Sequence, residues 1–307
     1  MKRVLCLILG LMICCGLYSA AAEGMENFEF ADKIPDEYLR RVDEGGTTAV
    51  FNYPTKDYTG DGAEITKYAV IYLPPDYSED NRYDLLILCH GIGGSETEWG
   101  FLGDFCIGKN ALDHLIVDGV IPPMIVVMPN GRSTANYKDS SMNNAASFYN
   151  FGKELRNDLL PYIDAHYATY GSQTQDDLTA SRNHRAMAGL SMGGMQTINI
   201  GLCECLDLFS AFGVFSAAPT SNNSALVAAN IAKFPDMPIR YLYSICGTED
   251  NVAYASAAQA ARDLPEKTDR LTEANFHWQE RKGGHDFNIW NLGLYNFARV
   301  LGAVHED

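Results

Sequence analysis

The stretch RAMAGLSMGG, residues 185–194, decides the fold of this chain. Its first six residues predict a short buried strand and residues 193–202 are typical of a helix, so Ser191 stands where a strand passes directly into a helix. The pattern G-x-S-x-G in that setting predicts a nucleophile elbow, a sharp turn that exposes the serine hydroxyl. Glycines at positions 189, 193 and 194 remove side chains that would collide with neighbouring backbone. Ser191 is therefore the predicted nucleophile.

Strands and helices alternate along the rest of the chain. Strands are predicted at residues 47–53, 68–73, 85–89, 124–128, 185–190, 212–215, 239–246 and 276–281. Helical patterns cover residues 111–117, 151–166, 193–202, 251–264 and 289–301, and residues 23–65 are otherwise irregular. This alternation predicts an α/β fold with a mainly parallel sheet and helices on both faces.

A serine nucleophile needs a base, and the base needs an acid that orients it. His285 directly follows the last predicted strand, where α/β-hydrolases carry their base. Asp250 follows the strand before it and is the favoured acid, with Glu249 as the alternative. Asp286 is interpreted as structural, because adjacent side chains rarely converge. The order Ser191, Asp250, His285 is that of the α/β-hydrolase fold, which is the fold predicted here.

An ester carbonyl that is attacked by serine develops an oxyanion, which needs two hydrogen-bond donors. The backbone N–H of Met192, directly after the nucleophile, is one predicted donor. The second is expected from the glycine-rich loop HGIGG at residues 90–94, with the N–H of Ile92 favoured and that of Gly93 as the alternative. The His90 imidazole is interpreted as a structural brace for this loop.

Six stretches of the chain resemble the feruloyl esterases of the first carbohydrate esterase family. They are HGIGGSETEW (90–99), IPPMIVVMPN (121–130), HRAMAGLSMGGMQTINI (184–200), FSAAP (215–219), CGTED (246–250) and GGHDFNIW (283–290). The resemblance implies hydrolysis of ferulate esters on arabinoxylan with Ser191, His285 and Asp250 as the triad. The same family includes acetyl xylan esterases, which are the nearest alternative.

A feruloyl group would require an apolar slot for a planar ring beside the triad. The candidates for that slot are Ile92, Trp99, Phe287 and Trp290. Trp290 could wall the slot or only anchor the last helix to the sheet. Residues 130–150, which include Tyr137 and are rich in Asn, Ser and Tyr, could bind the sugar or form an ordinary surface loop.

Together these assignments predict a two-step acyl transfer through an acyl-enzyme, with no metal or organic cofactor. The resemblance implies that the substrates are plant cell-wall polysaccharide esters, either feruloylated or acetylated xylan. Two more remote hypotheses are a non-catalytic carbohydrate-binding protein that has kept the fold and an acyltransferase that passes the acyl group to a sugar.

The first 22 residues have the pattern of a signal peptide. Lys2 and Arg3 precede an apolar run at residues 4–17, and three alanines at 20–22 offer a cleavage site. That run is shorter than the roughly 20 apolar residues of a membrane span. The protein is therefore predicted to be secreted, extracellular or periplasmic. Residues 23–307 contain no repeat or linker and are predicted to form a single α/β-hydrolase domain.

The mature chain is predicted to be acidic and to contain an odd number of cysteines. Removal of Lys2 and Arg3 changes the formal net charge from −16 to −18, which disfavours nucleic acid and anionic membranes. Five of the eight cysteines remain after the signal segment, so at least one is unpaired within the chain. They are interpreted mainly as free, buried small hydrophobic residues: Cys89, Cys106, Cys203, Cys205 and Cys246.

Overall fold

A computed structural model describes residue 25, residues 28–174 and residues 176–305. Within them, eight strands form one sheet: β1 (Thr47–Lys56), β2 (Glu64–Leu73), β3 (Asp84–Cys89), β4 (Met124–Pro129), β5 (Arg185–Leu190), β6 (Ala211–Phe215), β7 (Tyr241–Gly247) and β8 (Phe276–Arg281). The strand order is β1-β2-β4-β3-β5-β6-β7-β8. The pairs β1–β2 and β2–β4 are antiparallel, and all other neighbours are parallel.

The connections between the strands are mostly helical. The helices are α1 (Ile107–Val117), α2 (Phe151–Glu154), α3 (Leu160–His166), α4 (Met192–Gln196), α5 (Ser224–Ile231), α6 (Tyr254–Lys267) and α7 (Phe287–Ala303). A π-helical turn, Leu155–Leu159, joins α2 to α3, and a second one, Thr197–Leu202, continues α4. Short 3-10 turns cover Asp36–Leu39, Met142–Asn150, Tyr170–Gln173 and Arg182–His184.

Two hydrophobic cores lie on opposite faces of the sheet. Along β3, Leu85, Ile87 and Cys89 belong to one core, and Leu86 and Leu88 belong to the other. Successive side chains of a strand point to opposite faces, so a run of continuous apolar residues signifies a strand that is covered on both sides. The predicted α/β-hydrolase fold, with a mainly parallel sheet and helices on both faces, is confirmed.

The structure departs from the predicted elements in the N-terminal part and after β6. The strand predicted at residues 47–53 extends to Lys56, and its partner begins at Glu64, within the segment expected to be irregular. Pro54 is accommodated because β1 lies at the edge of the sheet. Helix α5 was not predicted; Asn223 caps it by accepting a hydrogen bond from the N–H of Leu226 at 3.0 Å.

The predicted signal peptide, residues 1–22, lies outside the described residues. The assignment of residues 23–307 to a single domain stays a prediction. Where the structure describes the chain, none of its helices has the length and apolar character that crossing a bilayer requires. The five cysteines after residue 22 are buried free thiols, as predicted.

Candidate active site

Ser191 occupies a sharp turn between β5 and α4. Its backbone angles are φ 52° and ψ −113°, a conformation that non-glycine residues rarely adopt. A Cβ at Gly189 would lie 2.6 Å from the carbonyl carbon of Gly193, and one at Gly193 would lie 2.5 Å from the carbonyl oxygen of Cys89. Both positions therefore require glycine, and their close packing holds the strained serine in place.

A continuous chain of hydrogen bonds joins three side chains from separate parts of the sequence. The Oγ of Ser191 lies 2.9 Å from Nε2 of His285, and Nδ1 of His285 lies 2.7 Å from Oδ2 of Asp250. Asp250 follows β7 and His285 follows β8, so parallel pairing brings both to the carboxyl edge of the sheet beside the elbow. The structure thus brings together the three residues that were predicted to form the triad.

The Asp250 carboxylate is buried and held by several donors. Its Oδ1 accepts hydrogen bonds from the N–H groups of Val252 and Ala253, both at 2.9 Å. Burial alone would raise the pKa of Asp250, but the hydrogen bonds from His285 and from these two N–H groups outweigh it and lower that pKa. Asp250 therefore stays ionised beside the imidazole.

The two carboxylates next to the triad in sequence, Glu249 and Asp286, have other surroundings. The Glu249 side chain is exposed and lies 3.9 Å from the Lys282 ammonium. Asp286 caps α7 by accepting a hydrogen bond from the N–H of Asn288 at 2.9 Å. Neither carboxylate has a hydrogen bond to His285 among the contacts that the structure describes.

This arrangement fixes the tautomer of His285. Because an ionised carboxylate only accepts hydrogen bonds, Nδ1 of His285 must be the protonated nitrogen. Its Nε2 then has a free lone pair that faces the Ser191 hydroxyl. The geometry can therefore move a proton from Ser191 to His285 while Asp250 stabilises the resulting imidazolium.

The loop at residues 91–94 forms a turn beside the elbow. The N–H of Gly94 donates to the carbonyl oxygen of Gly91 at 3.3 Å. A Cβ on Gly91 would lie 3.4 Å from Cβ of Ser191, so the start of this loop is in contact with the serine. Met192 is the first residue of α4, and its N–H consequently has no acceptor within the helix.

His90 braces this loop, in agreement with its interpretation from the sequence. Its Nε2 accepts a hydrogen bond from the N–H of Gly131 at 3.0 Å, and its Nδ1 contacts the carbonyl oxygen of Gly91 at 2.6 Å. Burial lowers the pKa of His90 to about 3, so the imidazole is neutral at ordinary pH.

A small apolar cluster lies next to the elbow. Phe148, Met192, Met195 and Ala218 are buried together, and the partly exposed Ile92 packs against them. The N–H of Ala218 donates to the carbonyl oxygen of Ser191 at 2.9 Å, which brings this cluster to the serine. The cluster therefore joins the loop at residues 91–94, the elbow and the 3-10 turn Met142–Asn150.

The aromatic residues proposed for substrate binding fall into two places. Trp290 packs edge-on against the His285 ring, with centroids 5.1 Å apart, and Phe287 packs against Trp290 at 5.0 Å. Trp99 contacts Phe287 at 5.7 Å and donates its N–H to the Cys89 carbonyl at 3.2 Å. Trp99 and Trp290 are buried, whereas Phe287 is partly exposed.

Tyr137 lies elsewhere, against β2. Its hydroxyl donates to the carbonyl oxygen of Thr66 at 3.4 Å, and its ring lies 5.7 Å from the Lys67 ammonium. The side chain is buried. The structure therefore groups Phe287, Trp99 and Trp290 on the His285 side of the site but does not bring Tyr137 into that group.

Sequence reasoning missed three polar side chains around the site: Glu98, Arg132 and Gln196. Glu98 and Arg132 contact the loop at residues 91–94 directly, and Gln196 donates to the carbonyl oxygen of Gly131 at 2.8 Å. The only signal was their position within conspicuous motifs, Glu98 in SETEW and Arg132 directly after MPNG. Nothing in the pattern indicated which backbone groups they would bind.

No cluster of three or more histidine, cysteine or carboxylate side chains suited to hold a metal ion occurs among the described residues.

A family model described as "Putative esterase" matches residues 66–299, which include the elbow, Asp250 and His285. The chain belongs to this esterase family.

The curated relatives that this chain matches are longer proteins. Endo-1,4-beta-xylanase Y of Acetivibrio thermocellus is 30% identical over 258 residues, covering 80% of this chain and 22% of the relative. An endo-1,4-beta-xylanase/feruloyl esterase of Xylanibacter ruminicola is 34% identical over 241 residues, covering 76% of this chain and 29% of the relative. The chain thus spans less than a third of the length of either protein.

Solved structures share the fold. The feruloyl esterase module from Clostridium thermocellum, in complex with sinapinate, is 23% identical with a TM-score of 0.71, over 89% of this chain and 96% of that module. A ferulic acid esterase from Anaeromyces mucronatus, in complex with ferulic acid, is 21% identical with a TM-score of 0.72, over 91% of this chain and 100% of the other. At these sequence identities the structural likeness shows that the fold is shared, and nothing beyond the fold.

Proposed function

We propose that this protein is a serine carboxylesterase that releases ferulate from feruloylated arabinoxylan. The observation that carries the proposal is the hydrogen-bonded chain from Ser191 through His285 to the ionised Asp250, placed at a strained elbow. Membership of the esterase family supports hydrolysis of an ester. Relatives named as a xylanase and as a xylanase/feruloyl esterase support a xylan-linked substrate.

Ser191 attacks the ester carbonyl while Nε2 of His285 takes its proton. The tetrahedral intermediate collapses when His285 returns that proton to the departing sugar alcohol, leaving a feruloyl-enzyme. A water molecule then attacks the acyl carbon while His285 takes its proton, and the second tetrahedral intermediate collapses as His285 returns that proton to Oγ of Ser191 and ferulate leaves. Asp250 keeps the imidazole in the required tautomer and stabilises its protonated form in each step.

The oxyanion binds the N–H groups of Met192 and Ile92. Met192 is supported by its place at the first position of α4, where its N–H has no helical acceptor and the helix dipole favours negative charge. We favour the N–H of Ile92 over that of Gly93 as the second donor, because Ile92 directly follows Gly91 and Gly91 lies against Ser191. Gly93 is exposed, and a Cβ built on it would meet nothing within 4 Å.

The apolar cluster next to the elbow is the proposed site for the aromatic acyl group. Ile92, Met192 and Ala218 contribute apolar side chains to this cluster, and Met192 directly follows Ser191 in the chain. Phe287 is a further candidate to line this site on the side of His285, because it is partly exposed whereas Trp99 and Trp290, which pack against it, are buried. Trp99 and Trp290 are buried and act as the support that fixes Phe287 and the His285 ring.

Secretion is part of the proposal. The basic residues, apolar run and small residues of the first 22 positions support export, and the enzyme would then meet its polysaccharide substrate outside the cytoplasm.

Parallel measurements of acid release test the acyl preference. The purified protein is assayed on methyl ferulate, feruloylated arabinoxylan and acetylated xylan, with release of ferulate and acetate measured by chromatography. The proposal predicts a kcat/KM for the feruloyl substrates at least about tenfold above that for acetylated xylan. A preference for acetate release would establish the acetyl xylan esterase alternative. Binding of xylan without release of either acid would overturn the proposal.

A further inference from the structure

A buried arginine donates hydrogen bonds to two carbonyl groups of the oxyanion loop. Arg132 is fully buried, and its Nη1 donates to the carbonyl oxygen of Gly94 at 2.8 Å, while its Nη2 donates to that of Ile92. The guanidinium carbon lies 4.9 Å from the centroid of the Phe148 ring. The planar guanidinium therefore binds the carbonyl groups at both ends of the Ile92–Gly94 segment, and the rigid geometry of its donors suits it to do so.

A carboxylate holds the other end of the same loop. The Oε2 of Glu98 accepts a hydrogen bond from the N–H of Gly91 at 2.6 Å. A Cβ on Gly94 would meet this carboxylate at 2.3 Å, so Glu98 lies against the loop at both of these glycines. Glu98 and Arg132 thus bind an N–H and two carbonyls of one four-residue turn.

The segment that carries Arg132 is itself anchored. The buried ammonium of Lys67 donates to the carbonyl oxygens of Asn130 at 2.8 Å and Arg132 at 2.9 Å. The N–H of Gly131 donates to His90, and its carbonyl accepts from Gln196. Lys67 also forms a buried ion pair with Glu154 at 2.6 Å. Arg132 therefore projects from an anchored backbone segment, and the full burial of its side chain restricts the positions that the guanidinium can adopt.

Fixing the carbonyl groups of the loop also fixes its donors. A peptide unit is planar and trans, so its N–H points opposite to its C=O. The bonds of Gly94 and His90 to the Gly91 carbonyl consequently set the direction of the Ile92 N–H. The bond of Arg132 to the Ile92 carbonyl sets the direction of the Gly93 N–H, the alternative donor, and so fixes the peptide unit on the other side of Ile92. A loop with three glycines in four residues would otherwise reach many backbone conformations.

We propose that Arg132 and Glu98 are positioning residues that hold residues 91–94 in the conformation that presents a backbone N–H to the oxyanion. Neither residue belongs to the triad, and both act through the loop. The inference rests on the proposed esterase function. Preorganised donors stabilise charge that develops only in the transition state, so their displacement lowers kcat more than it changes KM.

The test compares Arg132→Gln with Arg270→Gln on methyl ferulate. Arg270 is the matched control because its guanidinium also donates to two backbone carbonyls, those of Ile231 and Met237, on a part of the chain away from the elbow. We expect Arg132→Gln to lower kcat about 30-fold or more with KM within about threefold of the wild type. Arg270→Gln should lower the melting temperature but leave kcat within about twofold.

Glu98 provides a second pair of variants that does not depend on a buried arginine. Glu98→Gln keeps a side-chain oxygen that can accept from the Gly91 N–H, whereas Glu98→Leu has none. We expect Glu98→Leu to lower kcat about tenfold and Glu98→Gln to restore most of it. Affinity for a trifluoromethyl ketone, which forms an oxyanion on the serine, should fall with kcat/KM, whereas inhibition by free ferulate should not change.

Two negative results have different meanings. A wild-type protein that hydrolyses no ester would overturn the proposed function, and the role of Arg132 and Glu98 with it. An active wild type would overturn this inference alone if Arg132→Gln or Glu98→Leu kept the wild-type kcat. The same conclusion would follow if ketone and ferulate affinities fell equally, since that pattern indicates general damage to the site.

Discussion

Asp250 and Glu249 are adjacent carboxylates with opposite surroundings. Asp250 is buried, accepts two backbone N–H groups on one oxygen and contacts His285 with the other. The Cys246 thiol lies 3.5 Å from the same oxygen that binds His285, and burial raises the pKa of Cys246 to about 12, which keeps it a neutral donor. Glu249 is exposed to solvent. The difference between these two residues comes from position, because their chemistry is the same.

Substitution Asp250→Asn tests this assignment. The amide retains the shape of the side chain but presents no charge, so it cannot stabilise the imidazolium and allows the wrong tautomer of His285. We expect kcat on methyl ferulate to fall about a thousandfold or more. The measurement is steady-state kinetics at neutral pH.

The matched control for that variant is Glu249→Gln, which removes one carboxylate charge at the neighbouring position. Its kcat should stay within about twofold of the wild type. A larger loss in Glu249→Gln than in Asp250→Asn would contradict the assignment and identify Glu249 as the acid.

At the level of secondary structure, the strands and the elbow could be predicted from the sequence because their signals are local. An apolar run such as residues 85–89 is continuous when both faces of the strand are covered, and the glycines around Ser191 indicate a turn that tolerates no side chain. The carboxyl edge of a parallel sheet then explains why residues from β5, β7 and β8 meet.

Other elements could not be predicted because their cause is not local. Helix α5 is short, and its residues lack a clear alternation of apolar and polar positions, so its stability depends on packing against α6 and neighbouring segments. Arg132 binds carbonyl groups of residues that lie 38 and 40 positions before it in the sequence. Glu98 binds the N–H of a residue that lies 7 positions before it. Patterns along the chain carry no information on such partners.

For the whole molecule, the buried His90 makes folding stability depend on pH. Burial lowers the pKa of His90 to about 3 in the folded state, whereas an unfolded chain has an ordinary histidine that titrates near 6.5. Between these values the unfolded state binds one more proton than the folded state. Stability therefore rises with pH through this window and is lost as the pH falls from about 6.5 towards 3.

The variant His90→Gln isolates this contribution. Its free energy of unfolding should fall less steeply than that of the wild type between pH 6.5 and pH 4, by about 1.4 kcal/mol per pH unit. Urea unfolding at several pH values measures both slopes. The control is His166→Gln at an exposed histidine, which should keep the wild-type slope. Equal slopes for His90→Gln and wild type would show that His90 is protonated in the folded protein.

Every step of the proposed reaction depends on Ser191 as the nucleophile, and the variant Ser191→Ala tests this most directly. Turnover of methyl ferulate is measured for the variant and the wild type, with matched circular dichroism spectra and melting temperatures to show that the fold is intact. We expect kcat to fall at least about ten-thousandfold, to the residual level of a site that has lost its nucleophile. A folded Ser191→Ala protein that releases ferulate at a rate near that of the wild type would contradict it.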